Sequence, residues 1–313
     1  MPKNSSLILV CGLPRSGTTY IGKALAKTKD VHYLHEPLNK DFGVKGIHNW
    51  YPFINETGDG DGYQDKNMID DIIHLNTTWT YTAPMEYGRM TRLSKALWGG
   101  RSGLNWIRLR WKKQLGIPIK TTCLKDPFAT FSSGYFNQQF KAKIVCMIRH
   151  PGAVYMSYKR LNFKTRIESL FKQQHFRSMY AEDIRDDLWE RAKNETCSGT
   201  ALLWKLMSRY VDIQSRNTEA FLLIRHEDFC LHPESMMEKI CAFTKVPFEN
   251  TVKRFIRRTT QIKEKDTSRN PPSGFKRNSR QLIHSWRNIM NEHEKTTIQD
   301  IIGEDLLKFY KKW

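Results

Sequence analysis

Residues 7–25 read Leu-Ile-Leu-Val-Cys-Gly-Leu-Pro-Arg-Ser-Gly-Thr-Thr-Tyr-Ile-Gly-Lys-Ala-Leu, and the rest of the chain can be organised around them. Leu7 to Cys11 is an apolar run of the kind that forms a parallel strand covered on both faces. The run breaks at Gly12, turns through Pro14 and Gly17, and resumes as a helix-compatible stretch from Thr18. A glycine-cornered turn between strand and helix aims several backbone N–H groups at one spot, and the helix N-terminus adds positive potential there. Pro14, Arg15, Ser16, Gly17, Thr18 and Thr19 therefore read as a seat for phosphate or sulfate. The spacing from Gly12 to Gly17 fits the ATPase loop Gly-x-x-x-x-Gly-Lys-Ser/Thr, but Thr18 stands in the lysine's place. The cation, Arg15, lies inside the turn instead, which argues against the triphosphate tail of ATP.

A second segment, Val145-Cys-Met-Ile-Arg-His-Pro-Gly-Ala-Val-Tyr-Met-Ser157, pairs an arginine ending an apolar strand with a serine eight residues on. Pro14 to Thr19 resembles the 5′-phosphosulfate loop of sulfotransferases that use 3′-phosphoadenosine 5′-phosphosulfate (PAPS). Arg149 and Ser157 match the positions that grip the 3′-phosphate in that family. Either motif alone is a weak signal; both, in this order, are a specific one. Together with the strands read below, the resemblance implies an α/β fold, a P-loop-like three-layer sandwich. A central, mostly parallel sheet of about five strands carries helices on both faces. It implies a single domain over residues 1–313, with 40–118 as an acceptor-facing insertion and 253–285 as a basic lid. The activity implied is metal-free transfer of a sulfonate from PAPS to a hydroxyl or amine of a glycan or small-molecule acceptor. Adenosine 3′,5′-bisphosphate is then the product.

Ligands of a doubly wound sheet sit beyond the carboxyl ends of its strands, so strand ends are where further site residues are sought. Val31 to Leu34 reads as a short strand, which places His35 and Glu36 at that edge before Pro37 ends regular structure. Related sulfotransferases carry a Glu-Pro here. Glu36 is the candidate base that takes the acceptor's proton, and His35 is the alternative. Thr121 to Pro127 reads as another buried strand, putting Lys125 at the same edge; its Lys-Asp-Pro resembles a subgroup of bacterial-type sulfotransferases, which implies that this lysine stabilises charge on the sulfonate oxygens. A helix from about Ser132 to Phe140, a strand Lys143 to Ile148 and a helix Gly152 to Leu161 follow. Residues 162–217 read as helical, with Leu203, Leu206, Tyr210 and Ile213 as a core-facing stripe. Ala220 to Asp228 reads as the last buried strand. It resembles the family's Arg-Tyr-Glu-Asp segment, whose aromatic lies by the adenine; His226 holds that place here. Pro233 to Lys245 reads as an amphipathic helix opened by proline.

The net charge of +19 suits an anionic ligand or surface. Ten Lys/Arg in residues 253–280 face only Glu264 and Asp266; the resemblance implies a basic loop over the 3′-phosphate near here, with Lys276 and Arg277 as its candidates. Trp79, Tyr81, Tyr87, Trp98, Trp106 and Trp111 can line an acceptor pocket or fill the core, and Arg101 to Lys113 reads as a basic, aromatic helix against the acceptor. Asn55-Glu-Thr-Gly-Asp-Gly-Asp-Gly reads as a mobile acidic loop, with too few ligands in series for calcium. The six cysteines are scattered, without metal-site spacing, and read as free thiols. No apolar run is long enough to span a membrane, and the first strand starts too early for a signal peptide. These features favour the cytoplasm, the alternative being a Golgi-lumen type catalytic domain separated from its anchor. The rival functions are an ATP-dependent P-loop kinase and a non-enzymatic polyanion-binding module. The missing loop lysine opposes the first; no nucleic-acid motif supports the second, and no nucleic-acid partner is expected.

Overall fold

Alternation along the strands splits the apolar residues between two cores. Leu7, Leu9 and Cys11 belong to one, Ile8 and Val10 to the other, as the two-residue period of a strand requires. The computed structural model describes residues 5–41, 43–77, 100–260, 283–311 and 313. In chain order its elements begin with β1 (Ser6–Cys11), α1 (Thr18–Leu25), β2 (Val31–His35), α2 (Tyr63–His74), α3 (Gly100–Gln114) and β3 (Thr121–Lys125). A 3₁₀ segment (Pro127–Ser132), α4 (Ser133–Phe140), β4 (Lys143–Ile148) and α5 (Pro151–Leu161) follow. Next come α6 (Glu168–Phe171), α7 (Gln174–Tyr180), α8 (Asp186–Asn194), α9 (Thr196–Asn217) and β5 (Phe221–Arg225). The chain ends with α10 (His226–Leu231), α11 (Pro233–Thr244), α12 (Asn250–Thr260), α13 (Glu292–Ile302) and a 3₁₀ turn (Gly303–Lys308).

The sheet has the order β2-β3-β1-β4-β5, and every pairing in it is parallel. Its register aligns the strand ends: His35 lies opposite Lys125, Lys125 opposite Val10, and Ile148 opposite Arg225. One carboxyl edge therefore carries, from one side to the other, Glu36, Lys125, the turn after β1, Arg149 and His226. Ile21, Ala24 and Leu25 of α1 share a core with Met237 and Ile240 of α11 and with Val252 and Ile256 of α12. Val154 of α5 and Leu203, Trp204 and Leu206 of α9 belong to the other core. Gly22 lets α1 approach the sheet, since a Cβ there would stand 2.5 Å from the Tyr33 ring and 3.1 Å from Lys125 Cβ.

The described parts of 40–118 contain α2 and α3. Ile69, Ile72 and Ile73 recur at helical spacing in α2 and are buried. Within Asn55 to Asp59 the turn is tied by its own side chain, Asn55 Oδ1 accepting from the amides of Thr57 (3.1 Å) and Asp59 (2.9 Å). The stripe on α9 follows Met207, Tyr210, Val211 and Gln214; Ile213 falls beside it and is 43 % exposed. The last strand stops at Arg225, where Arg225 grips Asp228 with two hydrogen bonds (2.8 and 2.6 Å). Glu227 and Asp228 lie in the first turn of the helix that starts there, where acidic residues are favoured. Among the described residues no helix is long and apolar enough to cross a membrane.

Candidate active site

The turn after β1 takes its shape from glycine. Gly12 has φ +118°, and a Cβ there would lie 2.1 Å from the carbonyl oxygen of Met147. Its amide donates to Thr130 Oγ1 at 2.9 Å, anchoring the turn to the segment after β3. Gly17, at φ +93°, is the N-cap of α1 and offers no side chain to cap it. The opening amides of α1, beginning at Thr18 and Thr19, have no acceptor within the helix. Ser16 Oγ is buried and has no hydrogen-bond partner among the described residues. A capless helix start beside an orphaned buried hydroxyl fits a phosphate or sulfate.

Arg15 joins the two motifs. It is a non-glycine residue at φ +72°, a conformation that costs energy and that folds retain at functional sites. Its Nε donates to Ser157 Oγ at 3.1 Å, while its carbonyl accepts from Arg149 Nη1 at 2.9 Å. Ser157 thus accepts from Arg15 and keeps its own hydroxyl proton to donate elsewhere. The Arg149 carbonyl is held by Trp204 Nε1 at 2.8 Å, and Glu227 accepts from the next amide, His150 N, at 3.0 Å. His226 closes this end: a Cβ on Gly17 would stand 2.9 Å from His226 Cδ2. Burial, then the charge of Arg149, holds the His226 imidazole neutral, well below its ordinary range.

At the β2 side, Lys125 is 2 % exposed and forms a close ion pair with Glu36 Oε1. The other carboxylate oxygen, Glu36 Oε2, accepts from Asn39 Nδ2 at 2.8 Å. Glu36 also has positive φ, +51°, and its amide donates to the Lys125 carbonyl at 2.8 Å. Burial pushes the Glu36 pKa upward, but Lys125, His35 and Asn39 together outweigh it and hold the carboxyl at about 2. His35 Nδ1 meets the Tyr33 hydroxyl at 2.8 Å, and burial followed by Lys125 brings its pKa down to about 4. Asp126 binds the Leu38 amide at 2.7 Å and the Phe128 amide at 2.9 Å, so it ties the Glu36 turn to the end of β3. Its burial raises it to about 7.

The structure therefore brings Arg15, Ser16, Gly17, Thr18, Thr19, Arg149, Ser157 and His226 together at one part of the edge. Glu36, His35 and Lys125 lie at the other. Lys276 and Arg277 lie outside the described residues, as do Trp79, Tyr81, Tyr87 and Trp98. Trp106 is core, at 1 % exposure, whereas Trp111 is 65 % exposed. Sequence reasoning passed over Asn39, Asp126 and Thr130. Only Asp126 carried a signal, an aspartate before proline where a 3₁₀ turn begins. Among the described residues no cluster of three or more His, Cys, Asp or Glu is arranged to hold a metal.

The family model described as "Sulfotransferase family" matches residues 8–250. Among solved structures, the chain is similar to the sulfotransferase domain of the Synechococcus PCC 7002 olefin synthase, at 15 % identity and TM-score 0.43, covering 95 % of each chain. It is also similar to the sulfotransferase domain from the curacin biosynthetic pathway, at 16 % identity and TM-score 0.48, covering 98 % of each. A third is retinol dehydratase in a complex with retinol and PAP, at 16 % identity and TM-score 0.48, covering 98 % of this chain and 82 % of that one. No curated protein sequence matches the chain.

Proposed function

The chain belongs to the sulfotransferase family, and from that membership we propose that it carries a sulfonate from PAPS to a hydroxyl or amine of a glycan or small-molecule acceptor. The observation that carries the reading is the convergence on Arg15. A helix-start anion seat, Ser157 and Arg149 meet there although they come from separate parts of the chain. The turn amides, Ser16 and Arg15 receive the 5′-phosphosulfate. Arg149 and the remaining proton of Ser157 receive the 3′-phosphate, arginine being suited to it by its two parallel donors. His226 lies beside the adenine.

PAPS, when bound, supplies the activated sulfonate. The acceptor oxygen or nitrogen bonds to sulfur as the bond from sulfur to the 5′-phosphate oxygen breaks, and the electron pair of the broken bond stays on the phosphate oxygen. Arg15 and the turn amides stabilise the charge that collects there. Glu36 takes the acceptor's proton. In the resting pair it is a poor base, since Lys125 holds it at about 2. When Lys125 turns from Glu36 to the sulfonate oxygens, the opposing charge leaves and burial raises Glu36 towards a useful range. The pair thus couples arrival of the sulfonate to activation of the base. All six cysteines are free thiols, which suits a reducing cytoplasm.

Transfer of labelled sulfonate from PAPS, screened across glycans, small alcohols and amines, tests the reading together with calorimetry of adenosine 3′,5′-bisphosphate. Binding of the bisphosphate and label on one acceptor class is the expected result. A chain that ignores the bisphosphate would refute it.

A further inference from the structure

The carboxyl-terminal half of α3 and the turn after it form a surface that the transfer reaction does not use. Asn105 Nδ2 donates to the Tyr33 carbonyl at 3.4 Å, and farther along the helix Lys112 Nζ lies 3.2 Å from His32 Nε2. Lys120, past the helix, pairs with Asp30 at 2.7 Å. The helix therefore runs antiparallel to β2, and its last turns lie at the amino end of that strand, opposite the edge bearing Glu36. The expectation that this helix faces the acceptor does not extend to those turns.

There the surface turns apolar. Trp111 is 65 % exposed, Leu115 71 % and Ile117 44 %. Trp111 and Leu115 are one helical turn apart and share a face, the Leu115 amide donating to the Trp111 carbonyl at 2.9 Å. The Ile117 amide reaches back to the Lys112 carbonyl at 2.8 Å, which holds the backbone of the third exposed apolar residue against the end of the helix. Residues 105–119 contain Arg108, Arg110, Lys112 and Lys113 and no acidic residue, whereas Lys120 is already paired with Asp30. Lys113 is held by neutral groups, the His74 carbonyl and Asn76 Oδ1, both at 2.8 Å. Arg110 likewise donates to the Thr77 carbonyl. These acceptors orient the cations without neutralising them.

We propose that this tip, Trp111, Leu115 and Ile117 within a basic collar, docks the protein on an anionic lipid bilayer. A bilayer surface satisfies both halves of the feature at once. The apolar side chains enter the headgroup boundary, and lysine stems lie along apolar surface while their charged ends stay among the phosphates. A second copy of the same face would bring its own basic collar against this one and be repelled. A nucleic acid would meet the cations and could stack a base on Trp111, but it would leave Leu115 and Ile117 without an apolar partner. Docked in this way, the protein holds its transfer edge away from the bilayer, open to acceptors from solution.

The test is flotation of the full chain with vesicles of phosphatidylcholine alone and vesicles containing about one-third phosphatidylglycerol. Binding is expected with the anionic vesicles and much less with the neutral ones. The variant Trp111→Ser/Leu115→Ser is expected to bind them at least about tenfold more weakly with an unchanged melting temperature, because both side chains face solvent. Lys112→Gln/Lys113→Gln is expected to lose the preference for the anionic lipid. Absence of binding by the wild type would overturn the proposal. So would full binding by the serine variant, which would make the attraction one of charge alone. Self-association of the wild type that the serine variant abolishes would assign the tip to a second copy.

Discussion

The two parts of the carboxyl edge carry their positive charge in different company. Arg149 donates to a carbonyl oxygen, that of Arg15. Its carboxylate neighbour Glu227 attracts it but is hydrogen-bonded to the His150 amide and the Tyr310 hydroxyl, and makes no ion pair with Arg149 among the described residues. Lys125, at the other part, is engaged by Glu36. A cation on a neutral acceptor keeps its attraction for an arriving anion. A cation against a carboxylate is neutralised until something draws the pair apart. The first arrangement fits the nucleotide-holding role proposed for it, and the second fits the proposed exchange of partners during transfer.

The largest effects should separate the two parts by kind. Glu36→Gln is expected to lower turnover by about a hundredfold to ten-thousandfold, while the Kd for adenosine 3′,5′-bisphosphate stays as in the wild type. Arg149→Ala is expected to weaken that Kd by about ten- to a hundredfold, the range of a lost hydrogen bond to a charged group. Calorimetry beside initial rates reads both. If each variant lost affinity and turnover in equal proportion, the distinction between the two parts would fail.

Lys125→Met sharpens the comparison through stability. Breaking a buried pair leaves an uncompensated charge, at a cost of about 3–5 kcal/mol near neutral pH. In the wild type Glu36 sits at about 2, below its ordinary 4.5. Its contribution to stability is therefore full above about 4.5 and is lost as the pH falls towards 2. In Lys125→Met, burial acts with less opposition and lifts Glu36 above its unfolded value. The sign then reverses: the variant is favoured at low pH and loses stability as the pH rises through the new folded value. Denaturation curves across acidic pH, with Lys125→Met/Glu36→Gln as the reference lacking the carboxylate, show whether the slope changes sign.

Much of the Arg15 part was legible in the sequence, because its geometry is local. A turn bounded by glycines, an arginine closing an apolar run, and a serine two helical turns later all announce themselves by spacing. The sheet was legible for the same reason, its strands being short apolar runs. The meeting of Ser157 with Arg15, across 142 positions, follows from strand order and from no spacing. The partnership of Lys125 with Glu36 is of the same kind, since it needs β2 and β3 to be neighbours in register. Asn39 stayed hidden because a side chain that binds a carboxylate at a turn looks like an ordinary loop residue, and Asp126 showed only as an aspartate before a proline. The place of the α3 tip was not legible, because basic and aromatic composition says nothing about which end of a strand a helix packs on.

The smallest expected effect concerns His35, the other candidate for the base. Its imidazole is neutral at working pH, since burial and then Lys125 bring its pKa to about 4. Its Nδ1 is engaged with the Tyr33 hydroxyl, and its Nε2 lies 3.9 Å from Glu36 Oε1. A base that titrates so low adds no limb to the pH–rate profile in the range where an ordinary histidine would. His35→Gln should therefore leave kcat within about threefold of the wild type, and the profile between about pH 5.5 and 8 unchanged in shape. A wild-type limb near 6 that vanishes in His35→Gln would transfer the proton from Glu36 to His35. It would also leave the Lys125–Glu36 pair without a part in the proton transfer.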